Sequence, residues 1–240
     1  MRFGKNNRKK FFGQMNLCLL LFILLSCVGA GSCQTEEQRY ETQLKKCIEK
    51  DQNNKEESVK CLEDLRKSDP DRGSTYLILA RNYRELGKLN EAEETVNTFV
   101  NSNKTDASGY ETKCEILRDK GNFQDALLAC DKAMSLEPDE IRHKQTIASV
   151  YAAQDDFARA ENWYLIILKT NPNDQNTLVA LGRLYEKMNE PDKAIETYKK
   201  LLKLDNFEFK DKLQEGIKRL KDKKEAQIKE EKNKANQKPN

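Results

Sequence analysis

One step of 34 residues recurs four times without insertion between Gly73 and Glu208, and it constrains the fold of this chain more than any other feature. Laid over one another, residues 73–106, 107–140, 141–174 and 175–208 carry matching side-chain types at matching positions. Position 4 holds Tyr76, Tyr110, Lys144 and Leu178; position 8 holds the small residues Ala80, Cys114, Ala148 and Gly182; position 11 holds Tyr83, Leu117, Tyr151 and Tyr185. Position 20 is alanine in every copy (Ala92, Ala126, Ala160, Ala194), position 24 is Val96, Cys130, Tyr164 and Tyr198, and position 27 is Phe99, Ala133, Ile167 and Leu201. Spacings of three and four residues put the first set on one side of a first helix and the second set on one side of a second helix. Each segment therefore reads as a helical hairpin. Gly87, Gly121, Asp155 and Asn189 mark the turns, and Pro138 and Pro172 at position 32 stop the second helix, because proline has no amide hydrogen and its ring clashes with the preceding turn. Small residues at position 8 opposite alanine at position 20 predict close approach of the two backbones, with position 24 about one helical turn away from position 8.

This pattern resembles the tetratricopeptide repeat family, which has the same period and pairs an aromatic, a small residue and a tyrosine in the first helix with alanine, an aromatic and alanine in the second. Lys144 at the first aromatic position and Lys113 at the usual leucine position depart from it. The resemblance implies an all-α fold, a right-handed superhelix or solenoid of stacked antiparallel helix pairs, whose first helices line a concave groove. Residues 39–72 fit as a degenerate N-terminal capping repeat: Tyr40, Leu44 and Cys47 share one face, Leu62 and Leu65 another, and Pro70 falls at position 32 when the period is projected backwards. Phe209, Leu213, Ile217 and Leu220 give residues 209–222 an apolar stripe suited to a C-terminal capping helix. Residues 223–240, mostly Lys, Glu, Asn and Gln, are too polar to bury a core and read as a charged tail.

The N-terminus has a different character. Residues 1–16 carry Arg2, Lys5, Arg8, Lys9 and Lys10 and no acid, and an apolar run from Leu17 to Leu25 follows. That run is too short to span a bilayer but has the length and flanks of a signal-peptide core, so residues 1–26 are expected to direct export. Leu24-Leu25-Ser26-Cys27 resembles the bacterial lipobox, in which the cysteine is lipidated before cleavage ahead of it; Ala30-Gly31-Ser32-Cys33 is a looser match. Cleavage after Val28-Gly29-Ala30 by an ordinary signal peptidase would instead release the chain. The leading expectation is a lipid on Cys27, with Cys33 as the alternative and residues 27–38 as a lipidated tether, anchored because each buried methylene contributes about 0.8 kcal/mol. Cys47, Cys61, Cys114 and Cys130 lie beyond this segment. Each pair sits on the two helices of one hairpin, and in an exported chain both are possible disulfides, although a position 8 to position 24 bridge would need a reach near the upper Cα separation of roughly 6.8 Å.

Composition narrows the function. The chain has 43 basic and 40 acidic residues, and without the five basic residues of the signal the count is 38 against 40. The signs are interleaved along every helix, whereas a nucleic-acid binder concentrates basic residues on one face. No Cys-x-x-Cys or paired Cys/His spacing points to a metal, and no cofactor motif is present. The single histidine, His143, stands at the start of a helix with no nucleophile at a suitable spacing; it reads as an exposed helix residue, and Trp163 beside Tyr164 as packing between hairpins. A catalytic role is not expected.

In the family, groove contacts come largely from positions 2, 5, 9, 12 and 13. Carried onto this sequence, the resemblance implies Arg81, Arg84, Glu111, Glu115, Arg118, Asp119, Arg142, Gln145, Ser149, Arg183 and Glu186, a mixed-charge floor for an extended peptide or a partner helix. The lysine and asparagine with which chaperone adaptors clamp a C-terminal carboxylate are replaced by Leu77 and Arg81. The expectation is a lipid-anchored scaffold for protein partners in a bacterial cell envelope; the alternative is a surface-displayed lipoprotein that binds host or matrix components.

Overall fold

The computed structural model describes residues 35–51, 54–205 and 207–236, with side chains as far as residue 230. The signal segment, Cys27, Cys33 and most of the tether lie outside the described residues. Among the described residues the chain forms eleven helices and no strand: α1 (Glu36–Asp51), α2 (Lys55–Ser68), α3 (Gly73–Glu85), α4 (Leu89–Ser102), α5 (Ala107–Asp119), α6 (Phe123–Leu136), α7 (Ile141–Ala153), α8 (Phe157–Thr170), α9 (Gln175–Lys187), α10 (Pro191–Leu202) and α11 (Lys210–Asn236).

Local chemistry sets these boundaries in the same way in each repeat. The residue at position 15 takes a left-handed backbone in all four copies, with φ of 73° at Gly87, 79° at Gly121, 59° at Asp155 and 55° at Asn189. Behind it the next amide donates to the carbonyl of position 11, as in Lys88 N to Tyr83 O and Glu190 N to Tyr185 O, both 2.9 Å. This closes the first helix by reversing the chain over its own last carbonyls, a geometry that glycine, asparagine and aspartate tolerate. At the other end, the acids of position 34 cap the following repeat: Asp106 accepts from Ser108 N, Glu140 from Arg142 N and Asp174 from Thr177 N.

The core is the stripe pair expected from the period. Ala92, Ala126, Ala160 and Ala194 have no exposed surface, and Val96, Cys130, Tyr164, Tyr198, Phe99, Ala133, Ile167 and Leu201 are buried around them. Each second helix packs on its own first helix and on the first helix of the next repeat, while α3 touches α5 and α5 touches α7. First helices therefore line the inner side of the stack and second helices the outer side. The N-terminal hairpin docks through Tyr40, whose hydroxyl lies 2.6 Å from Ser74 Oγ and 2.9 Å from Thr75 Oγ1. The result is a solenoid of stacked helix pairs.

Four expectations are corrected. Position 8 lies directly across from position 24: Cys114 and Cys130 have Cα atoms 5.3 Å apart and are bonded through sulfur, so no long diagonal reach is needed. The Cys47–Cys61 bond, Cα atoms 5.4 Å apart, obeys the same register shifted by one residue on each helix. His143 is not exposed but buried, because position 3 faces the preceding repeat, where Thr75, Gly109 and Thr177 are buried as well. The expected tether ends before residue 38, since Thr35 and Gln38 exchange backbone-to-side-chain hydrogen bonds of 3.1 and 3.2 Å as a capping box that starts α1 at Glu36. Finally, α11 does not stop at residue 222 but runs to Asn236. Between Ile217 and Asn236 there is no glycine or proline, and Lys, Glu, Gln and Ala favour helix, with Glu225 four residues ahead of Lys229.

Candidate binding groove

The inner face of α3, α5, α7 and α9 holds ten of the eleven residues expected at the groove, all but Glu111, and most of them pair with the neighbouring repeat. Arg84 on α3 pairs with Glu115 on α5 and, through Nε, with Asp119 Oδ2 at 3.4 Å. Arg81 Nη2 donates to Thr112 Oγ1 at 3.5 Å. Arg118 donates to Asp119 Oδ1 at 2.7 Å on its own helix and to Ser149 Oγ on α7, also at 2.7 Å. The Ser149 hydroxyl in turn donates to Thr146 O at 2.7 Å. Gln145 Nε2 on α7 donates to Asp174 Oδ1 at 2.9 Å and to Thr177 Oγ1 at 2.8 Å at the start of α9. The floor is thus a polar ladder that ties each first helix to the next. Its charged groups are half-buried, so each pair contributes more than the median exposed ion pair, which is worth about 0–1 kcal/mol.

Glu111 departs from its expected place. Its side chain is 4% exposed, turned between repeats, with Arg142 Nε 3.0 Å from Oε2 and Thr146 Oγ1 donating to Oε1 at 3.3 Å. His143, fully buried, brings Nδ1 to 3.6 Å from the same Oε2 and Nε2 to 3.4 Å from Glu137 Oε2. Burial pushes the Glu111 carboxyl above the usual carboxylate range, and the Arg142 and His143 charges pull it part of the way back. Position 5 was expected to face the groove; this carboxylate turns instead into the boundary with the next repeat, where Arg142, His143 and Thr146 meet it.

The ladder ends at α9. Arg183 and Glu186 remain exposed there, and α11 takes the place that the first helix of another repeat would occupy, with Gly216 at position 8 of the projected period. Between α9 and α11 opens a cleft of about 630 Å³. Val179, Arg183 and Glu186 line one wall, Phe209, Lys212 and Leu213 the other, and Tyr198 and Phe207 also line it. Phe209 is 56% exposed, with the Lys212 ammonium 5.7 Å from its ring centroid. Glu186 accepts from the Tyr198 hydroxyl at 2.5 Å, and burial together with that bond raises the phenol out of the titrating range. Arg183 and Lys212 make no ion pair among the described residues. The α11 wall of this cleft was missed in the sequence; projecting the period one step past Glu208, which places Gly216 with the other small residues, would have found it.

The described residues contain no cluster of three metal-ligating side chains, and no helix among them is long and apolar enough to cross a membrane.

Residues 177–215 match the tetratricopeptide repeat family model, a span that covers all but the first two residues of α9, all of α10 and the start of α11. No curated protein sequence matches the chain. Among solved structures the chain is similar to a thermophilic TPR protein of Thermus thermophilus, at 21% identity and a TM-score of 0.64, covering 75% of this chain and 98% of that one. It is also similar to PilW, described as a widely conserved type IV pilus biogenesis factor, at 20% identity and a TM-score of 0.59, covering 68% and 76%. A third likeness is to MamA of Desulfovibrio magneticus, at 13% identity and a TM-score of 0.55, covering 72% and 97%. At these identities the likenesses bear on the fold alone. The in-phase repeats and their stacking, with the family model matched over residues 177–215, give this chain the fold of the tetratricopeptide repeat proteins.

Proposed function

We propose that the chain is a non-enzymatic scaffold that holds a partner protein in its concave groove, and that a lipid on Cys27, or on Cys33, fixes it to a membrane of a bacterial cell envelope. The observation that carries the binding role is the cleft between α9 and α11, where apolar wall residues and unpaired cations meet at the point at which the ladder of internal pairs stops. Along the rest of the floor, Arg84 and Arg118 already have carboxylate partners, so a ligand gains little by displacing them. An extended segment or helix that presents an apolar side chain to Phe209 and a carboxylate to Arg183 suits the open end. The anchoring role rests on the basic, apolar and Leu-Ser-Cys order of the first 27 residues. The likeness to a pilus biogenesis factor favours assembly of an envelope complex as the setting.

Two experiments test this reading. A photo-crosslinking side chain at Arg183 or Phe209 in intact cells should give a discrete adduct that the same group at Lys88, in the turn between α3 and α4, does not give. Equal labelling at all three sites would remove the cleft from the binding role. Metabolic labelling with a fatty-acid analogue should be lost in Cys27→Ser; loss only in Cys33→Ser moves the anchor, and no labelling of any form removes it.

A further inference from the structure

The outer side of the stack carries two surfaces that the groove does not use. Leu128 on α6 is 68% exposed, the most open large apolar side chain among the described residues. Asp125 and Asp131 stand three residues to either side of it and so share its helix face. The neighbouring Lys132 is turned aside, with its ammonium 6.0 Å from the centroid of the Tyr110 ring. Farther along the same side, a groove of about 750 Å³ runs between α8 and α10. Leu165, Leu168, Leu181 and Leu204 line it, and Lys200 and Lys203 stand on its rim. Lys203, Asp125 and Asp131 make no ion pair among the described residues, and Lys200 meets only Glu196 at 3.5 Å, with both side chains well exposed.

We infer that these two surfaces are made for each other on different copies of the chain: the acid-flanked Leu128 of one copy seats in the lysine-rimmed leucine groove of a second. Within one copy they cannot meet, because both lie on the outer side of one stack with α8 between α6 and the α10 rim. The occupant is identified by sign and shape. The groove needs an apolar knob with anionic flanks; α6 presents one, whereas α11, with ten basic and six acidic residues, has the wrong charge. Because the two surfaces differ, the contact is head-to-tail and leaves one knob and one groove free at the ends of every open assembly, so it propagates until it closes into a ring or continues as an open chain of copies.

Sedimentation equilibrium of the full-length chain in mild detergent tests this. The weight-average mass is expected to rise with concentration past that of a dimer, and to fall back at about 0.5 M salt, where the charge pairs are screened. Leu128→Asp and the double variant Lys200→Glu/Lys203→Glu alter exposed side chains, and each should raise the concentration for half-association by about tenfold or more. Mixed in equal amounts, the two variants still possess one intact knob and one intact groove, so they should form a dimer and nothing larger. Leu128→Lys serves as a second knob variant should Leu128→Asp melt without cooperativity. A wild-type monomer at every concentration, assembly unchanged by either knob variant, or a mixture that stays monomeric would each overturn the inference.

Discussion

The ring of Tyr198 covers Gly182 so closely that a Cβ atom added there would lie 2.2 Å from Tyr198 Cε1. Position 8 thus faces position 24 in this hairpin as it does at Cys114 and Cys130, and by the same register Ala80 stands opposite Val96 and Ala148 opposite Tyr164. The Tyr198 hydroxyl is held by Glu186, so the ring cannot swing aside without losing that bond. Gly182→Ala is expected to destabilise the fold by about 1–3 kcal/mol through overpacking, offset by up to about 1 kcal/mol of helix propensity. Adding Tyr198→Val, which recreates the pair of the first repeat, should recover part of the loss in urea melts. A single variant as stable as the wild type would disprove the close fit.

Glu111 predicts a pH dependence. Its carboxyl titrates above its ordinary value of 4.5 because burial disfavours the charged form. The folded chain thus holds this proton more tightly than the unfolded chain. The associated stability is complete below about 4.5 and is lost as pH rises through the higher folded value. Glu111→Gln cannot ionise, so its stability relative to wild type should increase from pH 4 to pH 7 in thermal melts. A constant or falling difference would show that the Arg142 and His143 charges outweigh burial.

The two disulfides should separate under reductant. Cys114 and Cys130 are 0% and 1% exposed, whereas Cys61 is half-buried beside an open groove between α1 and α2. Titration with a dithiol followed by alkylation and mass measurement should find Cys47 and Cys61 modified first. Replacing Cys114 and Cys130 by alanine should cost about 3 kcal/mol, the loop-closure entropy of a bridge of this span, since the two are 16 residues apart. Simultaneous modification of all four thiols would contradict the ordering.

Asp119 forms ion pairs with both Arg84 and Arg118, so the ladder is coupled. Arg84→Ala and Arg118→Ala should each destabilise by about 1 kcal/mol, and the double variant by less than their sum, because either change already loosens Asp119. Strict additivity in a double-mutant cycle would mean that the pairs act independently.

The groove was legible only in part because an amphipathic period identifies a face and not the partner on it. Arg84, Arg118 and Gln145 stand at the inner positions named from the sequence, yet what they touch lies about one repeat away on another helix. His143 and Glu111 were misplaced for the same reason: position 3 borders the preceding repeat and position 5 the following one, and only the stacking distance decides whether such a side chain meets water or protein.

The sequence alone determined the hairpins, their number and their turns, because helix periodicity, alanine at position 20 and the turn residues act within 34 residues of chain and need nothing else to be read. Tertiary structure decided the register across each hairpin, the burial of Glu111 and His143, and the cleft that α11 closes over α9. These depend on how far one helix slides and tilts against the next, a quantity set by packed volume across the interface rather than by any local pattern.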